Sequence, residues 1–251
     1  MAKSRNQRTD KAHALMERGY FPSQFPPPFS CNSIARHRRQ LIARWPTLDL
    51  KKLWPSRGEH FSVARLGHAR RPIVIPNPIN QTYLCRLIAE NWTDLNKFFK
   101  RSELSLSRPE FKHDAKRAIE IVSLRELAER RLVLSAGHRY VLQTDVARFF
   151  PSLYTHTIPR ALHTEAVARA NSRDTSLVGN ALDVMLQRCQ SRQTIGIPIG
   201  PDTSHIVAEI IGTAIDEIIC SRLKASAHGY RHVDDFFCAL WIVPKRKMRS
   251  Q

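Results

Sequence analysis

The segment 230–240, YRHVDDFFCAL, places two adjacent carboxylates, Asp234 and Asp235, inside a run that otherwise favours a strand. Acids are depleted in strands, and neighbouring like charges repel. Two roles fit such a pair. It can form the turn of a hairpin with an apolar strand on either side, or it can capture a divalent cation whose charge removes the repulsion. A third acid bears on the choice. Asp145, in LQTDVARFF, closes an apolar strand containing Val141 and Leu142. A turn-starting Asp is the plain role there. The apolar flanks, however, predict a strand covered by helices, where a carboxylate is costly unless paired or metal-bound. A metal ion shared by Asp145 and the pair at 234 and 235 supplies that partner.

The elements around these acids define an α+β order. Ile73 to Ile75, closed by two prolines, predicts a short strand and its exit. Apolar spacing predicts helices over 79–99 and 113–131, the second with Ala118, Ile121, Val122 and Leu127 on one face. The strand that carries Asp145 is stopped by Pro151, and further helices are expected over 157–170 and 175–191. The stretch TIGIPIGPDTS is a glycine and proline loop, with Ser204 as the expected N-cap of a helix over 205–223. Two strands then flank a turn at the acidic pair. Residues 1–60 are basic and proline-punctuated. Their GYFPSQFPPPFS is incompatible with regular helix or central strand, and its aromatics suit an arm docked on the core better than a linker.

Composition narrows the partners. Forty Lys and Arg against 22 Asp and Glu give a formal net charge of +18, which favours a polyanionic partner through counterion release. No basic amphipathic helix or lipidation signal points to a membrane surface. The most apolar long stretch, 204–223, carries Glu209, Asp216 and Glu217, too many charges for a spanning helix. The basic N-terminus has no apolar core and is not a secretory signal. Five dispersed cysteines without a C-x-x-C pair suit a reducing cytoplasm, where buried apolar packing is their plain role. The eleven histidines lack the spacing of a structural zinc site.

Taken in order, RRPIVIPN, DVARFFPSL, GIPIGPDTS and YRHVDDFF resemble the fingers and palm motifs of reverse transcriptases. The arm GYFPSQFPPPF and the Gly-Pro form of the loop most resemble the bacterial defence-associated branch. The resemblance implies a right-hand polymerase with an antiparallel palm sheet backed by helices. Residues 61–135 would form the fingers, joined by part of 155–200, and residues 136–243 the palm. They would lie between the N-terminal extension 1–60 and a basic tail, 244–251. It implies an RNA-directed DNA polymerase acting on an RNA template, a DNA or RNA primer and deoxynucleoside triphosphates in the cytoplasm, within antiphage defence, with a partner protein or non-coding RNA as a further expectation.

The resemblance also implies roles. Two Mg²⁺ ions, with Mn²⁺ as a substitute, would be held by Asp145, Asp234 and the Val146 carbonyl, with Asp235 the less direct carboxylate. Arg71 would grip the triphosphate bidentately, with Arg70 as neighbour and substitute; a solvated charge pair is the plain alternative. Phe150 would be the steric gate that excludes a 2′-hydroxyl, against core packing beside Phe149. Gly200, Pro201 and Ser204 would lie along the nascent base pair and template, and His232 beside the primer end; a plain helix-entry turn would use the same loop residues.

Three departures qualify the pattern. Ile199 replaces a common Gln, His232 replaces a Tyr, and WIVPKRKMRSQ follows the palm motifs where the family continues into a helical thumb. The expectation is a truncated form: thumb-facing surfaces exposed, including the apolar stretch Phe236 to Val243, weak solubility, salt-dependent nucleic-acid binding and poor primer extension. A catalytically inactive module that binds RNA or a partner protein is the alternative.

Overall fold

The computed structural model describes residues 11–25, 29–44, 53–64, 70–112, 115–223 and 227–240. After a helical stretch over 11–17 (α1) come α2 (Asn32–Arg44), β1 (Glu59–Ala64), β2 (Arg70–Ile75), α3 (Pro78–Glu90) and α4 (Trp92–Phe99). Then follow α5 (Leu124–Ala136), β3 (Tyr140–Asp145), the short α6 (Phe149–Ser152), α7 (Thr157–His163), α8 (Glu165–Ala170) and α9 (Val178–Cys189). The long α10 (Asp202–Leu223) leads into β4 (Ala227–His232) and β5 (Asp235–Leu240). The fold is mixed α+β with two small antiparallel sheets, β1–β2 and β3–β5–β4. Among the described residues no helix is long and apolar enough to cross a membrane.

Local chemistry explains several boundaries. Pro78 opens α3, where its missing N–H costs nothing, and the Asn77 side chain accepts from the Ile79 N–H. The helix expected over 79–99 breaks at Asn91, whose side-chain amide donates to the Leu87 carbonyl and ends α3. The helix expected over 113–131 begins only at Leu124; residues 113 and 114 lie outside the described ones. Ser123 caps it by accepting from the Glu126 N–H, in a Ser-x-x-Glu arrangement. The helix expected over 157–170 divides at Thr164, which has φ 74°. The last long helix starts at Asp202 rather than 205, so Ser204 lies in its first turn, its N–H bonded to the Pro201 carbonyl, and is not the cap.

The core is helical. Leu84 and Ile88 of α3, Leu182, Met185 and Leu186 of α9, and Ile206 and Ile210 of α10 are buried together, with Ile158 of α7. The arm is docked, as its aromatics suggested: Tyr20 is buried and its hydroxyl donates to the Pro76 carbonyl at 2.6 Å. Residues 26–28 of its proline run lie outside the described ones. Four cysteines are buried and Cys220 is half-buried, all free.

The three-stranded sheet has one face on α5, where Leu127, Tyr230 and Phe237 form a small second cluster. From its other face Arg231 reaches the buried acids of α10. Phe236 to Ala239 are buried, so the apolar segment expected to be exposed faces the interior over its described part. The exposed apolar surface is elsewhere. All six residues of β3 are exposed, Tyr140, Val141 and Leu142 included, as are Leu132 and Val133 of α5. The expectation that helices cover β3 is therefore corrected: among the described residues it is an edge strand, paired only with β5.

Candidate active site

The antiparallel register places Asp145 directly opposite Asp235 at one end of the sheet, and the next pair across is His232 with Asp235. Opposed residues share a face, so Asp145, Asp235 and His232 stand on one side of the sheet end. Asp234 sits in the turn before β5, and its carbonyl accepts from the Val146 N–H at 3.1 Å. Residues some ninety positions apart in sequence are thus locked together by backbone pairing. Burial first, and then the charges of Asp235 and Asp145, push the Asp234 carboxyl above the usual range.

Two strained turns present these acids. Val233 has φ 58°, uncommon for any residue and costly for a β-branched one, and Arg148 has φ 53° just after the Asp145–Val146 segment. The Val233 turn is held from both sides. Its N–H donates to Ser107 Oγ and its carbonyl accepts from Arg231 Nη1 at 2.9 Å. Arg231 is fully buried and forked onto Glu209 and Asp216 of α10, both also buried. Ser102 adds a hydrogen bond of 2.6 Å to Asp216. A methyl at Gly212 would collide with the Arg231 guanidinium, so this glycine makes room for the close approach. The loop beside the clamp also covers the edge of β4: the Arg231 N–H donates to the Leu104 carbonyl and the Leu106 N–H to the Arg231 carbonyl.

The donor set suits a hard divalent cation. Among the described residues none of the three carboxylates is ion-paired with Arg or Lys, and His232 offsets part of their mutual repulsion at Asp234. No three His, Cys, Asp or Glu side chains among the described residues close into a ready-made metal cage. That openness is compatible with Mg²⁺, which keeps waters and takes substrate phosphates in place of a full set of protein ligands.

His205 brings a second group of expected residues together. Its ring packs edge-on against Phe150, centroids 5.4 Å apart, and the charges of Arg117, His232 and Arg71 act on it. Burial first, and then those cations, push its pKa down to about 4. The Arg71 side chain makes no hydrogen bond or ion pair with another described residue, whereas that of Arg70 is tied to Ser62 through its Nε and Nη2 atoms. The two arginines are therefore not interchangeable. Phe149 is buried and Phe150 half-buried. Gly200 has φ 136° and packs on Pro22 of the arm, while Pro201 and Ser204 are buried, which leaves the loop backbone as the part able to meet a ligand. The loop is fixed by Val74 N–H to the Ile199 carbonyl and by the ion pair of buried Asp202 with half-buried Arg117.

Neither His205 nor Arg117 stood out in the sequence. His205 follows the loop motif directly, in the first turn of α10, and that position is the one local signal available. Because its folded pKa lies below the ordinary ~6.5, the unfolded chain takes up the proton first as pH falls. Stability from neutral His205 is present above about pH 6.5 and lost towards about 4. Urea unfolding at pH 5 is expected to show about 1–2 kcal/mol less stability than at pH 7 on this account, with a smaller difference in His205→Gln. An equal pH response in both proteins would remove His205 as its source.

No protein-family model matches the chain, and no curated protein matches it. A solved structure does: apo telomerase from Candida tropicalis, truncated from its C-terminal domain, with a TM-score of 0.50 and 12% identity. The fold is similar to that of a telomerase. The match covers 90% of this chain and 53% of the telomerase chain, so this chain spans about half the length of that structure. At 12% identity the likeness concerns the fold alone.

Proposed function

We propose that the chain is an RNA-directed DNA polymerase that adds deoxynucleotides to a primer by Mg²⁺-assisted nucleotidyl transfer. The observation that carries this reading is the cross-strand pairing of Asp145 with Asp235, with Asp234 in the adjoining turn. Asp145, Asp234 and the Val146 carbonyl would hold the metal, and Asp235 would tune the site from beside it. Bound Mg²⁺ would acidify the primer 3′-hydroxyl and neutralise charge on the triphosphate. Arg71, whose side chain is unpaired among the described residues, would take the triphosphate, and the Gly200 loop would lie along the nascent base pair. His232 would stand beside the primer end. The RNA template agrees with the +18 charge and with the telomerase-like fold. An antiphage setting, with a partner protein or non-coding RNA, rests on the sequence resemblance of the arm and loop. A second reading, an inactive RNA-binding module, draws on the open arrangement of the acids. Addition of one labelled deoxynucleotide to a primer on an RNA template separates the two. Mg²⁺-dependent addition supports the polymerase, and RNA binding without addition supports the module.

Sugar choice gives a further check. Phe150→Ala is expected to raise ribonucleotide use relative to deoxynucleotide use by roughly tenfold or more. The stability loss should stay below the roughly 3–5 kcal/mol of a fully buried Phe, since the ring is only half-buried. A full core-sized loss with unchanged sugar preference would make Phe150 a packing residue.

A further inference from the structure

We propose that Phe25, Phe29 and Phe61 form a stacking platform for the unpaired bases of a single-stranded RNA. This deepens the polymerase reading, on which the identity of the strand as template rests. The rings form a ladder that climbs from the core to the surface. Buried Tyr20 meets Phe21 at 5.2 Å, Phe21 meets Phe25 at 5.8 Å, and Phe25 meets both Phe29 at 5.2 Å and Phe61 at 5.4 Å. The ladder ends in the open, with Phe29 56% and Phe61 45% exposed. Large aromatic faces left to water in mutual contact point to a ligand with π-faces of its own.

Position and charge select the ligand. Phe61 pairs with Ile73 and Val63 with Arg71 in the β1–β2 register, so Phe61 and Arg71 share one face of the hairpin. Arg71 is one of the residues whose charge reaches His205 beside Phe150, so the platform borders the candidate site. The arm that supplies Phe25 and Phe29 also carries Pro22, which packs on Gly200 of the loop. Helix α2 begins three residues after Phe29 and exposes Arg36 and Arg39, with Ala35 turned to the core. The described hairpin holds one acid, Glu59, which pairs with Ile75 at the end remote from Arg71. Aromatic faces beside cationic side chains are the combination that binds single strands without reading their sequence.

The test is a fluorescence-anisotropy titration of the chain with a labelled short oligouridylate and with an RNA duplex of the same length. Phe29→Ala and Phe61→Ala are each expected to weaken single-strand binding by about tenfold, the scale of one stacked base. Phe61→Tyr, which keeps the ring, should retain wild-type affinity. The slope of log affinity on log salt should not change, because no phosphate contact is removed. Duplex binding should be unaffected, because paired bases have no free face. Unchanged single-strand affinity in both alanine variants, or an equal loss for duplex and single strand, would overturn the platform. The titration contains neither nucleotide nor metal. A chain that binds in this way yet never extends a primer would retire the polymerase reading and leave the platform standing.

Discussion

Asp234→Asn is expected to abolish nucleotide addition and, in metal-free buffer, to raise the melting temperature. The first effect follows from the proposed role of Asp234 as a metal ligand, whose loss would fall on the chemical step by about a thousandfold or more. RNA affinity should be no weaker, because phosphate contacts spread over the basic surface set it. The second effect follows from the raised Asp234 pKa. A carboxyl pushed up by burial and by Asp235 and Asp145 contributes most to stability below its unfolded value, and that contribution is lost as pH rises through the folded one. At neutral pH the charge is therefore a cost that Asn removes. Mg²⁺ or Mn²⁺ should stabilise the wild-type chain by the same logic, more at pH 7 than at pH 5, and the variant far less. Thermal melts with and without metal check this independently of activity. A variant that melts lower than wild type and responds equally to metal would contradict the assignment.

Arg231→Ala is expected to give the largest loss of stability of any single change, about 3–5 kcal/mol. It leaves two fully buried carboxylates, Glu209 and Asp216, without their cation, and frees the Val233 carbonyl. Arg231→Lys should rescue only part of this, since one ammonium cannot fork onto two carboxylates and a carbonyl together. Ser107→Ala tests the other side of the turn. It orphans the Val233 N–H at a cost of about 1–3 kcal/mol, and it should lower single-nucleotide addition at temperatures where the chain remains folded. Urea unfolding measures the first pair of effects. An Arg231→Ala chain within about 1 kcal/mol of wild type would show that the clamp does not support the turn.

The acid hairpin was legible because its signal is local: two adjacent acids interrupt a strand-favouring run that continues as the apolar Phe236 to Leu240. The β2 strand, its proline exit and the docked arm were legible for the same reason. Strand β1 was missed, since Glu59 to Ala64 is mostly exposed and carries no apolar run of its own. The helix starts later than the apolar spacing over 113–131 suggests, because the Ser123–Glu126 cap sets its first turn. What the sequence could not show is the non-local chemistry. In the sequence Arg231 is one basic residue among forty, and Glu209 and Asp216 served only to argue against a membrane span. Their meaning comes from a partner on another element. Exposure of β3 was missed likewise, because an apolar strand looks the same whether or not a helix covers it.

Single-nucleotide addition probes the proposed polymerase chemistry with the fewest other requirements, because it would need the metal site and no sustained grip on the duplex. The measurement is incorporation of one labelled deoxynucleotide into a primer annealed to RNA by the purified chain, with Mg²⁺ or excess chelator, in wild type and Asp145→Asn. Addition is expected from the wild type with Mg²⁺, and none with chelator or in the variant. Addition that persists in Asp145→Asn, or a wild-type chain that binds the primed RNA and adds nothing, would contradict it.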